Sequence, residues 1–144
     1  MLDDIYSNKI IELAADIPLI GKLEKADSSA TAVSRLCGSK VTVFISVKGD
    51  KIIDFSHDVK ACALGQASSS VMARNIVGSS FEELKELAIV MRKMLKDNGP
   101  CPEGKWSELA ILEPVKNFKS RHASTLLTFD AVNDAIEKIK QSKK

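Results

Sequence analysis

Three cysteines and two histidines are the residues of this 144-residue chain best equipped for chemistry. Cys37 lies in Leu36-Cys37-Gly38-Ser39. Cys62 lies in Lys60-Ala61-Cys62-Ala63-Leu64-Gly65, Cys101 in a Pro/Gly-rich loop, and His122 just ahead of a helical pattern. Thiolate and imidazole are the donors that zinc and iron–sulfur clusters prefer. There is no Cys-x-x-Cys, so spacing alone leaves convergence of these residues open. Three separated cysteines do not make a disulfide framework; in a reducing setting they serve metal or redox chemistry, or simply pack. Cys62 has the most suggestive position, where a β-branched alternating run hands over to a helical pattern. The residues behind it (Ala63, Gly65, Ala67, Ser68, Ser69, Ser70) are small and permit close approach of another backbone. A helix N-terminus there offers unpaired N–H groups and positive dipole, which favour a thiolate. The competing reading is a buried structural cysteine in a small-residue helix contact.

The elements that must position these residues follow from periodicity. Leu2 to Ile17 reads as an amphipathic helix, with Asp3 and Asp4 in its first turn and Ile10, Leu13, Ala14 and Ile17 on one face; Pro18 stops it. Ala30 to Leu36 reads as a first strand. Lys40 to Val47 is the clearest strand, with Val41, Val43, Ile45 and Val47 on one side and Thr42 and Ser46 on the other. Lys48-Gly49-Asp50 is a hairpin loop, and Lys51 to His57 returns as a third strand with Ile53 and Phe55 sharing a face. Three strands joined by short turns make an antiparallel meander, too small to stand without helices on one face. A helix then runs from Cys62 to about Val77 and is capped by Gly78. Ser80-Phe81-Glu82-Glu83 opens another as a capping box, and Asn98-Gly99-Pro100 ends it. Its Met91 and Met94 are core residues. Trp106, Leu109 and Ile111 anchor a short segment, and Leu112-Glu113-Pro114-Val115-Lys116 reads as an extended connector. The last helix spans Ser124 to Gln141, with Ser124 and Thr125 as N-cap candidates. The fold class is therefore α+β in one domain over residues 1–144.

Composition narrows the function classes. Hydrophobic residues at 44% and charged residues at 28% describe an ordinary globular chain, and a net charge of +2 gives no basis for a nucleic-acid partner. No apolar run approaches membrane-spanning length, and the first residues lack a secretory pattern, so the expected setting is cytoplasmic with no membrane partner. There is no Ser–His–Asp spacing and no nucleophile elbow, so the expectation is a binding protein rather than an enzyme.

Leu36-Cys37-Gly38-Ser39, then Lys60-Ala61-Cys62 followed by Gln66-Ala67-Ser68-Ser69-Ser70, resembles the iron–sulfur cluster assembly scaffold family of IscU, SufU and the N-terminal domain of NifU. The resemblance extends over the Tyr6-bearing helix, the hairpin and the Arg121-to-Ile136 helix, in the same order. It implies a SufE/NifU-like fold and a scaffold or carrier that holds iron or a nascent 2Fe–2S cluster. It also implies a cysteine desulfurase as sulfur source, acceptor proteins as recipients, and a monomer or weak homodimer. The alternative it implies is a zinc-bearing, SufU-like sulfur acceptor or regulator of the desulfurase. In the family three cysteines and an aspartate are ligands. Its first two cysteines fall on Cys37 and Cys62. The aspartate falls on Ser39, and the third cysteine falls on Ser124 when aligned through the helix or on Ala123 when aligned through a His-Cys-Ser motif. The chain is thus a divergent member, and His122 is the candidate third ligand beside Cys37 and Cys62, with Ser39, Ser124 and Cys101 as lesser candidates. His57 is expected to pack or hydrogen-bond. Leu112, Pro114, Val115 and Lys116 resemble, weakly, the Leu-Pro-Pro-Val-Lys motif by which IscU-type scaffolds meet a dedicated chaperone.

Overall fold

The structure, a computed structural model, describes residues 8–35 and 38–142. Strands β1 (Ser28–Ser34), β2 (Ser39–Lys48) and β3 (Lys51–Lys60) form one antiparallel sheet in the order β1-β2-β3. This is the expected meander. Lys48 pairs with Lys51, so Gly49 and Asp50 make the turn, with Gly49 at φ +66°. The inner face presents Ala30, Val41, Val43, Ile45, Ile52, Phe55 and His57, all buried, while Thr31, Lys40 and Asp58 are exposed on the other side. Helices α1 (Asn8–Ala15), α2 (Ala63–Asn75), α3 (Phe81–Lys96) and α4 (His122–Ser142) complete the fold. α4 crosses the inner face against β1 and β2, α2 packs beside α4 and β3, α1 packs on α2, and α3 on α4. One continuous apolar cluster runs through all of them, from Ile10 through Phe55 and Met72 to Ile136. Among the described residues no helix is long and apolar enough to cross a membrane.

Several local readings of the sequence change. The proposed start of the first helix, with Asp3, Asp4 and Tyr6, lies outside the described residues. Ile53 and Phe55 do not share a face: Ser46 pairs with Asp54 but Val47 with Ile52, so Ile53 is an extra residue, 53% exposed, while Ile52 and Phe55 point inward. Simple alternation fails wherever such a bulge resets the parity. β3 also runs on to Lys60, which brings the strand to within one residue of Cys62. α2 ends at Asn75 with Ile76 as its C-cap, and Gly78 (φ +94°) instead carries the chain back so that its N–H meets Ile52 O at 2.8 Å. Ser80 does cap α3, its Oγ accepting from Glu83 N at 3.1 Å. The Glu83 carboxylate does another job. Burial alone raises its pKa, but Trp106 Nε1 (2.7 Å) and Lys105 Nζ (3.2 Å) outweigh that and hold it below the usual range, tying α3 to the following segment. That segment is not an extended connector: residues Gly104–Asn117 form a 3₁₀ helix that buries Trp106, Leu109, Leu112 and Val115. The last helix begins two residues early, at His122, so Ser124 and Thr125 are not its caps. Both hydroxyls turn back to Arg121 O, at 3.3 and 2.9 Å.

His57 packs and hydrogen-bonds, as expected of it. It is fully buried, its ring 5.0 Å from that of Phe55, with Nε2 2.9 Å from Pro18 O. Backbone bonds from Gly21 N to His57 O and from His57 N to Leu19 O complete a clip that holds residues 18–21 along the edge of β3. A neutral imidazole donates Nε2–H to the carbonyl and leaves buried Nδ1 without a partner. Burial lowers the His57 pKa, against weaker raising effects from the Pro18 bond and Asp58. With the folded pKa depressed, the unfolded chain takes up the proton first, so stability is complete above the model-peptide value of 6.5 and falls as the pH drops below it. We expect the thermal midpoint to fall between pH 7.5 and pH 5.5, and His57→Gln to flatten that slope; an equal slope in both proteins would assign the loss to other groups.

Candidate metal centre

Cys62 is the N-cap residue of α2, with extended backbone at φ −67° and ψ 173°. The strand β3 delivers it and the helix leaves from it. Its thiol makes no capping bond to the helix and faces α4 instead, with Sγ 3.3 Å from Ser124 Oγ. The contact depends on the glycine one turn on. A Cβ at Gly65 would sit 2.7 Å from Ala61 Cβ and 3.0 Å from Ser124 O, so the α2 backbone rests directly on the first turn of α4. Behind Gly65, Ala67, Ser68, Ser69 and Ser70 are all fully buried, and Ser68 Oγ bonds back to Gly65 O at 3.1 Å. Small side chains thus serve the close helix packing that the sequence suggested, and that packing seats Cys62.

The hydroxyl of Ser124 has two partners within reach, Cys62 Sγ and Arg121 O. With a thiol, Cys62 donates to Ser124, which donates on to Arg121 O. With a thiolate, Ser124 can swing its proton to the sulfur, because Thr125 Oγ1 still satisfies Arg121 O at 2.9 Å. The polar group that the structure sets against the Cys62 sulfur is thus the Ser124 hydroxyl.

The remaining candidates separate. Cys37 lies outside the described residues, but the chain on either side, Arg35 and Gly38 at the β1–β2 turn, belongs to the same end of the sheet as Lys60 and Cys62. Ser39 is buried, at 2% exposure. His122 is buried too, and its Nε2 lies 3.0 Å from Val115 O and 3.2 Å from Lys116 O, on the side of the 3₁₀ segment. Two residues on a helix differ by about 200°, so His122 and Ser124 leave α4 on nearly opposite sides. Only Nδ1 of His122, buried and without a hydrogen-bond partner, is uncommitted. Cys101 is engaged elsewhere, its Sγ 2.9 Å from Glu113 Oε2. That bond raises its pKa, burial and the negative charge of Glu113 add to the rise, and the same bond lowers Glu113. In the weakly matched chaperone motif, Leu112 and Val115 belong to the core and Pro114 and Lys116 are half-buried. Among the described residues no group of three His, Cys, Asp or Glu side chains could hold a metal ion. Ser124, whose hydroxyl lies within reach of Cys62 Sγ, falls where the resemblance places the third cysteine when the sequences are aligned through the last helix.

Two outcomes test this arrangement. Gly65→Ala must push apart Ala61 and the Ser124 carbonyl, and should destabilise the fold by about 1–3 kcal/mol in urea unfolding despite alanine's better helix propensity. In alkylation with iodoacetamide at pH 8, Cys101 should react several-fold faster in Glu113→Gln than in the parent chain; unchanged kinetics would mean that the carboxylate does not hold the thiol protonated.

The family model described as NifU-like N terminal domain matches residues 5–143. The iron-sulfur cluster assembly scaffold protein IscU of Thermotoga maritima is 27% identical over 135 residues, 94% of each chain. A crystal structure of a nitrogen-fixing NifU-like protein (N-terminal) from Brucella abortus superposes with a TM-score of 0.96 at 52% identity, covering 97% of both chains. The putative iron-sulfur cluster assembly scaffold protein for the SUF system from Fervidobacterium islandicum gives 0.85 at 28% identity, covering 93% of this chain and 98% of that one. With the family model matching residues 5–143 and the three-stranded sheet and helix order in place, the chain belongs to the NifU-like N-terminal domain family.

Proposed function

We propose that this protein is an iron–sulfur cluster assembly scaffold or carrier, with iron or a nascent 2Fe–2S cluster as its cargo. The observation that carries the reading is the seat of Cys62: a sulfur at a helix N-terminus, not used as a cap, with a hydroxyl 3.3 Å away. The near full-length match to a relative named as such a scaffold supports it. Cys37 and Cys62 are the thiolate ligands in this proposal. Ser124 is the third donor that the geometry favours, and His122 through Nδ1 the other candidate. Two thiolates and a hydroxyl bring less negative charge than three thiolates, so the cargo is held loosely and released readily. The partners are a cysteine desulfurase that supplies sulfur and the apoproteins that receive the cluster, in a cytoplasmic setting where thiols stay reduced. The protein's part is to bind and hand over, and no bond-making step is assigned to it.

Anaerobic reconstitution with ferrous iron and sulfide tests the reading. We expect visible-region absorption and acid-labile sulfide, lost in Cys37→Ser and in Cys62→Ser. Ser124→Cys should lengthen the lifetime of bound cargo by tenfold or so, on the scale by which supporting groups change metal affinity. If His122→Ala instead shortens it while Ser124→Ala does not, the third donor is the imidazole. A colourless protein with stoichiometric zinc would overturn the cluster reading in favour of a zinc-bearing sulfur acceptor.

A further inference from the structure

The outer face of the sheet carries an arrangement that stability does not explain. Lys40 of β2 stands directly opposite Lys60 of β3, and on the other side of Lys40 the same row continues to Val33 of β1. Like charges directly opposed across two strands destabilise a sheet. The other such pair, Lys48 and Lys51, has Asp50 in the turn between its two members. The Lys40–Lys60 row has no carboxylate of its own. Asp58, one row further along the same face and opposite Thr42, is the nearest acidic position. Both lysines are exposed, and among the described residues neither ammonium has an ion-pair partner. Val33 is 57% exposed, and Arg35, two residues on, is exposed as well. The row therefore sets an apolar side chain among three cations.

Its place in the fold gives the row meaning. Lys60 precedes Cys62 by two residues, and Lys40 follows Gly38 by two at the turn that carries Cys37. We infer that Val33, Arg35, Lys40 and Lys60 form a docking surface for a protein partner that presents a cluster of carboxylates around an apolar pocket. Charge complementarity identifies the partner's chemistry. The opposed lysines repel one another in the free chain and are relieved when carboxylates are set between them, while Val33 supplies apolar area that only an interface would bury. Lys40 and Lys60 stand side by side on adjacent strands and Arg35 lies at the neighbouring turn, with no bidentate arginine pair, which suits several separated carboxylates rather than one phosphate. The surface stands on its own charges; that its partner exchanges cargo with Cys62 rests on the scaffold reading above.

The test is an NMR titration of the ¹⁵N-labelled chain with a synthetic peptide of alternating glutamate and leucine at 50 and at 300 mM salt. We expect shifts centred on Val33, Arg35, Lys40 and Lys60, weakening at least tenfold at the higher salt. Lys40→Glu/Lys60→Glu should abolish them, whereas Lys96→Glu/Lys119→Glu, with the same change in net charge, should leave them intact. Equal loss in both variants, or shifts mapping to Lys96 and Lys119, would overturn the proposal. So would an equally tight response at the same residues to a DNA oligonucleotide, which would reveal capture of any polyanion. Lys40→Glu alone should raise the thermal midpoint by about 2 °C while losing the peptide, because it turns a repulsive pair into an attractive one. A fall in the midpoint would mean that Lys40 is structural. The Cys37→Ser/Cys62→Ser chain should bind the peptide as the parent does. Retention there with no cluster formed in the parent would leave the surface standing and remove the scaffold reading; loss there would overturn the surface as an independent element.

Discussion

The contact on which this structure depends is the approach of two helix backbones at Gly65. With a hydrogen in place of a side chain, the first turn of α2 lies against the carbonyl of Ser124 in α4. Everything around it is adapted to that closeness. The stretch of α2 from Ala67 to Ala73 is buried, and two of its three serine hydroxyls find partners inside the protein, Ser68 on Gly65 O and Ser70 on Asp16 O at the end of α1, while Ser69 Oγ has none. Ser70 also receives Arg74 Nε at 3.2 Å, so one side of α2 holds α1 while the other holds α4. A helix this buried contributes less by its own propensity than by the density of packing it permits.

The same contact decides the character of the site. β3 ends at Lys60 and α2 begins at Ala63, so Cys62 sits between the end of a strand and the start of a helix. Its sulfur meets whichever side chain α4 presents at position 124, and in this chain that is a hydroxyl. Binding in such a place is tuned by the donor set more than by the backbone, since the backbone is already fixed. Ser39 at the start of β2 is buried where the family resemblance places a carboxylate. The molecule thus keeps the frame of its relatives.

How far the chain could be read from its residues depended on the range of the forces involved. The meander, the hairpin at Gly49-Asp50 and the cap at Ser80 are set by local alternation, positive φ and a single hydroxyl, and all were readable. Ile53 was misplaced because a one-residue bulge leaves no trace in composition while reversing the parity of everything after it. The 3₁₀ helix at Gly104–Asn117 was missed because Pro114 suggests extended backbone, whereas the burial of Trp106, Leu112 and Val115 against α2 and α3 outweighs that local preference. At the site, the cysteine flanks made Cys62 a candidate from the sequence alone. That His122 would spend Nε2 on Val115 O, and Ser124 would turn toward sulfur, depended on where α4 starts, and a shift of two residues exchanges which side chain faces which neighbour.

The roof over the sheet also governs how the protein comes into being. Ser28 Oγ bonds to Ala135 O at 2.7 Å and Lys138 Nζ to Ser29 O at 2.8 Å, joining positions 107 and 109 residues apart. On a ribosome, β1, β2 and β3 emerge before the helix that covers their apolar face. Until α4 follows, Val41, Val43, Ile45 and Phe55 lack the cover it provides, and the closure that joins β1 to α4 spans more than a hundred residues. Closure of the core therefore waits for α4, and a nascent chain cut short before α4 is a natural client for whatever shields exposed strands in the cell.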